Sequence, residues 1–438
     1  MRISLKAVAW VVVYFLMVFG PLLVVLLTPR PAGREFWREV SVALAFVGLA
    51  LMGLQFVPTA RLPPLADVFP MDTIYYFHHQ TSQLALVLVV IHPIILFFNN
   101  PYTLQLLNPL TAPLRAVAGV ASLAIALLLV GSSTQRKQIK LQYESWRLIH
   151  DILSFGAVGL GLLHIFGVGY YSTGPVAYVM WSALVVLWTG LFIYVRLLKP
   201  WMMLRRPYEL VSLTPERGDS WTLTVEPKDH AGLTFKPGQF AWLTIQKSPF
   251  AIRQHPFSFS SSAEHPQRLQ FTVKELGDFT RVIKHIPPGQ AVYLDGPYGT
   301  FSIDRHAAPG YVFVAGGVGI TPLMSQLRTM ADRRDRRPAY LFYGNPTWES
   351  VTFREDLDEL QKRMNLQVIH VLEKPAADWQ GEKDFITADL LDRHLPQNRQ
   401  ELQCLMCGPL PMIVAVERAL TKVGIPLSRV HAERYEMA

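Results

Sequence analysis

Cysteine and charge are what this chain has least of. Cys404 and Cys407 are its only cysteines in 438 residues, so no disulfide framework holds the fold. Charged residues make up 17% of the chain against 50% hydrophobic, a balance too apolar for an ordinary soluble enzyme. No RNA- or DNA-binding motif accompanies the net charge of +8, and no nucleic acid partner is expected. The basic residues instead flank apolar runs and cover a polar half, as positive charge does beside membrane spans.

What is present is unevenly distributed. Residues 1 to 200 hold the long apolar runs, and charge concentrates after Lys199. Six stretches are long enough to cross a bilayer, near 7–27, 39–57, 73–98, 112–131, 147–169 and 176–198. The first follows Arg2 and Lys6 as a signal peptide would, but the run is long and Thr28-Pro29-Arg30 is a poor cleavage site, so it reads as a retained span. Arg136, Lys137, Lys140 and Arg147 lie between spans four and five, and Lys199, Arg205 and Arg206 follow span six. With Arg2 and Lys6 they fall on one side of a six-span topology. The other side has Arg30, Arg34 and Arg38, partly balanced by Glu35 and Glu39, then little until Arg115. The positive-inside rule puts both termini in the cytoplasm. The expectation is an integral membrane protein, of a bacterial inner membrane, with the lipid bilayer as its first partner.

Four histidines inside these spans carry chemistry. His78 and His92 are fourteen residues apart on span three, and His150 and His164 are fourteen apart on span five. Fourteen residues is close to four helical turns, a rise of roughly 21 Å along one helix face. The two spans run in the same direction, so the histidines pair by depth: His78 with His150, and His92 with His164. Each pair can hold a haem iron from both sides. Ionisable residues at membrane depth mark functional sites. His79 adjoins His78 and would give a spacing of thirteen; His78 is preferred because it reproduces the second pair. Trp146 and Arg147 precede His150, as an interfacial anchor or as a partner for a haem propionate.

From Pro207 the pattern changes. Ser220–Glu226 and Leu269–Lys274 alternate with period two, and Lys236-Pro-Gly-Gln239 and Pro287-Pro-Gly289 are turn signals. These predict a small antiparallel barrel. From Gly310, short apolar strands at Tyr311–Ala315, Ala339–Tyr343, Leu366–Val371 and Gln403–Cys407 alternate with helical stretches at 323–330 and 350–363, which predicts a parallel nucleotide-type sheet. The turn Gly316-Gly-Val-Gly-Ile-Thr-Pro322 lets backbone approach a pyrophosphate at a helix N-terminus, although it lacks the spacing of the dinucleotide fingerprint. The fold class is therefore multi-domain: a six-helix membrane bundle over 1–204, an antiparallel barrel over 205–306, and an α/β parallel-sheet domain over 307–438. Cys404-x-x-Cys407 reads as structural, because no second pair completes a zinc site. The run Asp332–Arg337 reads as a solvated helix end.

Three further segments, Arg253-Gln-His-Pro-Phe-Ser-Phe-Ser260, Val273-Lys-Glu-Leu-Gly-Asp-Phe-Thr280 and Leu294-Asp-Gly-Pro-Tyr-Gly-Thr-Phe301, stand between the two patterns. In that order the soluble half resembles the ferredoxin–NADP reductase family. From about residue 40 onward the chain resembles the ferric reductase and NADPH oxidase superfamily, particularly the compact bacterial NADPH oxidases. The resemblance implies two b-type haems, FAD, and NADPH or NADH as cofactors. It implies that His255, Pro256, Phe257 and Ser258 line the isoalloxazine and ribityl region of FAD, with Arg253 matching the arginine of the soluble flavin motif only loosely. Lys274, Gly277 and Thr280 would hold the FAD phosphates. Gly316, Gly317, Gly319 and Thr321 would cradle the nicotinamide nucleotide. Cys407, Gly408 and Pro409 would lie near the nicotinamide, and Tyr435 would set its ring against the flavin.

The implied activity is electron transfer from cytoplasmic NAD(P)H through FAD and two haems to a small-molecule acceptor outside the membrane. Oxygen, giving superoxide, is favoured over chelated ferric iron. A haem-binding sensor or complex subunit with a degenerate soluble half is the contrasting class, which the intact flavin and nucleotide motifs oppose. Relatives often carry an arginine for the 2′-phosphate near Tyr343–Glu349; its absence here, with Glu349 nearby, speaks against a strict NADPH preference, and Arg354 is a candidate substitute. No EF-hand-type calcium loop or docking segment for an activator is evident, so constitutive activity is expected.

Overall fold

The computed structural model describes residues 4–29, 32–246, 248–251 and 253–433. Tyr435, Arg2 and Arg30 lie outside them. The described chain divides into two compact units. One takes the chain up to Val68 and Thr73–Leu198; the other takes Phe69–Asp72 and the described chain from Lys199 onward.

The first unit is built from helices long and apolar enough to cross a membrane. Spans one to six are Leu5–Leu27, Phe36–Leu54, Met71–Asn99, Leu114–Thr134, Tyr143–Val168 and Pro175–Ile193, the second continued by Phe56–Thr59 and the sixth by a π-helical turn at Tyr194–Leu198. Local chemistry sets their ends. The Ser4 hydroxyl accepts from the Ala7 amide at the start of span one, and Pro175 opens span six at the position where a missing amide costs nothing. Large apolar side chains such as Leu16, Leu128, Leu163 and Val186 point outward, as a lipid-facing surface requires. Between helices, small residues allow close approach. Gly53 lies under the Trp188 ring, and the Ser122 hydroxyl donates to the Ala157 carbonyl at 2.6 Å.

The second unit holds two sheets. The first contains β1 (Tyr208–Glu216), β2 (Ser220–Pro227), β3 (Phe240–Ile245), β4 (His255–Ser258), β5 (Leu269–Lys274) and β6 (Ala291–Tyr298), antiparallel in the order β4-β3-β6-β1-β2-β5. Its inward face is fully buried at Leu210, Leu223, Val225, Leu243, Phe259 and Phe271. A bridge between Phe259 and Phe271 brings the chain beyond β4 onto β5, so the sheet curls into a half-barrel.

The second sheet contains β7 (Tyr311–Gly316), β8 (Ala339–Asn345), β9 (Leu366–Leu372), β10 (Glu382–Lys383), β11 (Gln403–Cys407) and β12 (Val430–Glu433). All pair in parallel, in the order β10-β9-β8-β7-β11-β12. Helices Ile320–Asp332 and Arg354–Arg363 pack on one face, and Ala388–His394 and Leu410–Lys422 on the other. That is why β7 is an unbroken apolar run, buried on both faces at Tyr311–Ala315. The strand order reverses at β7 and β11, where an open α/β sheet leaves a crevice at the strands' carboxyl ends.

The Asp332–Arg337 run closes its helix at the surface, with Arg333, Arg334 and Arg336 exposed. Arg333 bonds Glu264 at 2.7 Å and Asp304 at 2.5 Å, and Arg337 bonds Asp335 and the Tyr311 hydroxyl. It ties the helix to the flavin-side sheet and to the linker between the sheets.

Candidate functional site

The β7–β11 crossover assembles the soluble half of the site. Gly316 ends β7, and Gly317-Val-Gly319 forms a short 3-10 turn into the helix at Ile320. Gly317 has φ +53° with open space where a side chain would stand, so its backbone is accessible to a ligand. A Cβ on Gly319 would lie 2.2 Å from the Cys407 carbonyl oxygen, and one on Gly408 would lie 2.5 Å from Met412 Cε and 3.1 Å from the Gly316 nitrogen. Gly316 likewise sits against Pro409 and Met412. Residues 316–319 and 407–409, about ninety apart in sequence, thus form one packed turn. The Tyr343 hydroxyl of β8 donates to the Gly317 carbonyl at 3.1 Å from below, a prop that sequence reasoning missed.

Thr321 is buried. Its hydroxyl donates to the Val318 carbonyl at 2.9 Å and reaches the Thr272 carbonyl of β5 at 3.4 Å. It joins the glycine turn to the first sheet and faces no open space. Cys407 and Cys404 are both fully buried but belong to opposite faces of β11, Cys407 packing with Phe313 and Leu405 and Cys404 with Val312 and Met406. Burial pushes the Cys404 thiol far above its ordinary value. The pair can neither bridge nor share a metal.

On the flavin side, β4 carries His255–Ser258 and the turn after β5 carries Gly277–Thr280. The structure brings them together through rings: His255 stacks on Phe279 with centroids 3.9 Å apart, and Phe257 lies 6.1 Å from the same ring. Phe279 was not singled out from the sequence; its place in Gly-Asp-Phe-Thr was the available signal. The Thr280 hydroxyl accepts from the amides of Leu276 and Gly277 at 2.9 and 2.8 Å, shaping this turn. Lys274 pairs with Ser220 at the end of β5, Ser258 is buried, and Arg253 is exposed.

Beyond β8, Arg354 lies 4.6 Å over the Trp348 ring and bonds Glu355 at 3.1 Å, while Arg217 bonds the same carboxylate at 2.6 Å. Arg217 holds the Glu355 carboxyl down at about 2. Both guanidiniums near this strand end are therefore already engaged.

In the membrane unit the four histidines form two sets. The His92 and His164 rings meet edge to face, with centroids 6.3 Å apart and planes at 70°. Two imidazoles bound to opposite sides of one iron through bonds of roughly 2 Å would stand about 6 Å apart by centroid. His78 and His150 lie within electrostatic range of each other at the opposite end of the same helices. His79 is exposed, and both its ring nitrogens face glutamines, Gln80 at 3.5 Å and Gln83 at 3.3 Å.

The decisive detail is what holds the ring nitrogens. His164 Nδ1 lies 2.7 Å from the Arg115 carbonyl, which can only accept, so Nδ1 carries the proton. His92 Nδ1 lies 2.7 Å from Ser41 Oγ and 3.0 Å from the Ser41 carbonyl. The Ser41 hydroxyl proton goes to the His92 carbonyl, so Nδ1 is the donor here too. His150 Nδ1 stands 3.2 Å from Ser133 Oγ, whose proton goes to the Leu129 carbonyl at 2.6 Å. In all three, Nε2 is left with a free lone pair. That tautomer, fixed by a neighbouring acceptor, is what a metal-binding imidazole needs, and these residues fit haem.

Span four thus supplies the acceptors for both span-five histidines, Arg115 near one end and Ser133 near the other. It also supplies room: a Cβ on Gly119 would stand 2.7 Å from His164 Nδ1. Ser41, Ser133, Arg115 and Gly119 were not found from the sequence, because they are small or ordinary residues on neighbouring helices. Beside His150, the Trp146 ring packs with centroids 5.0 Å apart, and Asp151 pairs with Arg196. Among the described residues no group of three or more His, Cys, Asp or Glu side chains is placed to hold a metal ion.

Three family models match consecutive parts of the chain: a ferric reductase like transmembrane component over residues 44–161, an FAD-binding domain over 203–302, and an oxidoreductase NAD-binding domain over 313–418. NADH-cytochrome b5 reductase 1 of Pyricularia oryzae is 29% identical over 175 residues, covering 39% of this chain and 57% of that protein. NADH-cytochrome b5 reductase 2 of Gallus gallus is 36% identical over 154 residues, covering 32% and 50%. The chain spans little more than half the length of these relatives. Among solved structures, the cytochrome b5 reductase domain of Ulva prolifera nitrate reductase superposes with a TM-score of 0.47 at 19% identity, over 53% of this chain and 98% of that one.

Proposed function

From the three-domain architecture of the ferric reductase and NADPH oxidase superfamily, which this chain has, we propose that the protein carries electrons across a membrane from cytoplasmic NAD(P)H to an acceptor on the far side. The observation that carries this reading is the pair of imidazoles at His92 and His164, 6.3 Å apart, each with Nδ1 bound to an acceptor. When bound, FAD supplies the conversion of hydride to single electrons, and two b-type haems supply the steps across the apolar layer.

The chain's own residues do the positioning. Gly317 opens the backbone to a dinucleotide at the β7–β11 crevice, and Gly319 and Gly408 keep Cys407 close to it. His255, Phe257 and Phe279 offer a ring surface for a flavin beside that crevice. His78 and His150 hold the cytoplasmic haem site, and His92 and His164 the far one. Were both haems bound by these histidine pairs, they would supply single electrons to an acceptor that need not bind iron. The positive side of the loops, spans four to five and the end of span six, faces the cytoplasm, with both termini.

Oxygen, giving superoxide, is the acceptor this reading favours; a ferric chelate is the other reading, supported by the match of residues 44–161 to a ferric reductase component. The engaged state of Arg354 and Arg217 favours acceptance of NADH as well as NADPH.

The test is a visible spectrum of the detergent-purified chain with FAD and either nucleotide under argon, followed by air. Reduction of two haems, reoxidation in air and a dismutase-sensitive signal are expected. Haem reduction without superoxide, with ferric chelate reduced instead, selects the ferric reductase reading. A protein purified without haem overturns the reading.

A further inference from the structure

The two histidine pairs differ in what holds them. Around the 92/164 pair, both Nδ1–H groups donate to main-chain carbonyls, Ser41 at 3.0 Å and Arg115 at 2.7 Å, and the Ser41 hydroxyl adds a third acceptor at 2.7 Å. Around the 78/150 pair, His150 has one hydroxyl oxygen at 3.2 Å, and His78 Nδ1 is buried with no hydrogen-bond partner.

A hydrogen bond from Nδ1–H to a carbonyl draws the proton away from the ring and makes Nε2 a stronger donor to its metal. A stronger donor favours the ferric over the ferrous ion, and so lowers the reduction potential. Low polarity around the groups strengthens the effect, and both pairs lie within apolar helices.

Resting on the haem reading above, we infer that the His92–His164 site holds the lower-potential haem, and that Ser41 and Ser133 are positioning residues that set the two potentials separately. The far end of the electron path is then the more strongly reducing end, which suits an acceptor that takes a single electron reluctantly, as oxygen does. Transfer from the higher-potential to the lower-potential site would run uphill in energy and would be drawn on by removal of the electron at the far side.

The experiment is a spectroelectrochemical titration of the full-length haem-loaded chain, with haem content measured first. Two haems per chain and two resolved midpoints are expected. Ser41→Ala removes one acceptor from His92 and should raise the lower midpoint while leaving the upper in place. Ser133→Ala should raise only the upper midpoint, and Ser133→Thr, which keeps the hydroxyl, should restore it. If Ser41→Ala raises the upper midpoint, or neither serine moves a midpoint, the inference is overturned while the haem reading stands. Fewer than two haems in the unsubstituted chain overturns the haem reading and the inference with it. Should Ser41→Ala lose haem, the Ser133 pair of variants decides alone: a shift of the lower midpoint there reverses the assignment and overturns it.

Discussion

The membrane unit and the soluble unit build their sites by opposite means. In the membrane unit, polar atoms are few, and three of the four histidines are held by one or two acceptors from a neighbouring helix: Ser41, Arg115 and Ser133. In the soluble unit, the site is held by contact. Gly319, Gly408 and Gly316 sit where no side chain fits, and the residues that touch come from strands distant in sequence. The contrast follows from the medium. In an apolar layer an unpaired imidazole nitrogen is costly, so hydrogen bonds do the orienting. In a sheet covered on both faces, packing density does it.

The contrast can be broken most forcefully at the ligands. His92→Ala and His164→Ala should each reduce haem from two to one per chain and lower acceptor reduction by more than ~10²-fold, while NADH-driven flavin reduction persists; a haemochrome assay with stopped-flow spectra checks both. The same measurement on Gly319→Ala should give the converse. The added Cβ collides with the Cys407 carbonyl, so flavin reduction by nucleotide should slow by about 10²-fold, while haem content and reduction by dithionite stay unchanged.

A third probe concerns a buried ion pair of the soluble unit. Lys199 and Asp295 are both buried at 3.2 Å, and Lys199 also donates to the Tyr298 hydroxyl at 2.9 Å. Lys199→Met removes the buried ammonium of this pair and should destabilise the soluble unit, seen as a lower Tm.

A pH titration gives a smaller effect. His431 stacks on His306 with centroids 3.5 Å apart, and burial holds its imidazole down at about 4. The folded state therefore resists a proton that the unfolded chain accepts near 6.5. The contribution is complete above pH 6.5 and is lost as pH falls from 6.5 towards 4. Thermal unfolding across that range should show the decline, and His431→Asn should flatten it. Least of all, Lys362→Ala removes a pair with Glu359 in which both side chains are about two-thirds exposed, and Tm should stay essentially unchanged.

The six spans were legible because long apolar runs have few alternatives. The two sheets were legible because period-two alternation and short buried runs report which faces are covered. The four histidines stood out against an apolar background at matching spacing. Their acceptors did not: Ser41 and Ser133 are common residues, and an acceptor that is a main-chain carbonyl, as at Arg115, has no signature at all. The partners of Arg333 in the Asp332–Arg337 run were illegible for a related reason, since Glu264 and Asp304 come from elsewhere in the chain.

By itself the sequence determined where this chain is apolar, how its elements repeat, and which residue types with unusual chemistry stand at fixed spacing. These are local properties, written in periodicity. Only the tertiary structure decided that Gly319 lies under Cys407, that span four holds both histidines of span five, and that one histidine pair is better held than the other. Those facts depend on crossover order and helix neighbours. Contact between residues fifty to ninety positions apart leaves no periodic trace, because it is set by how whole faces pack.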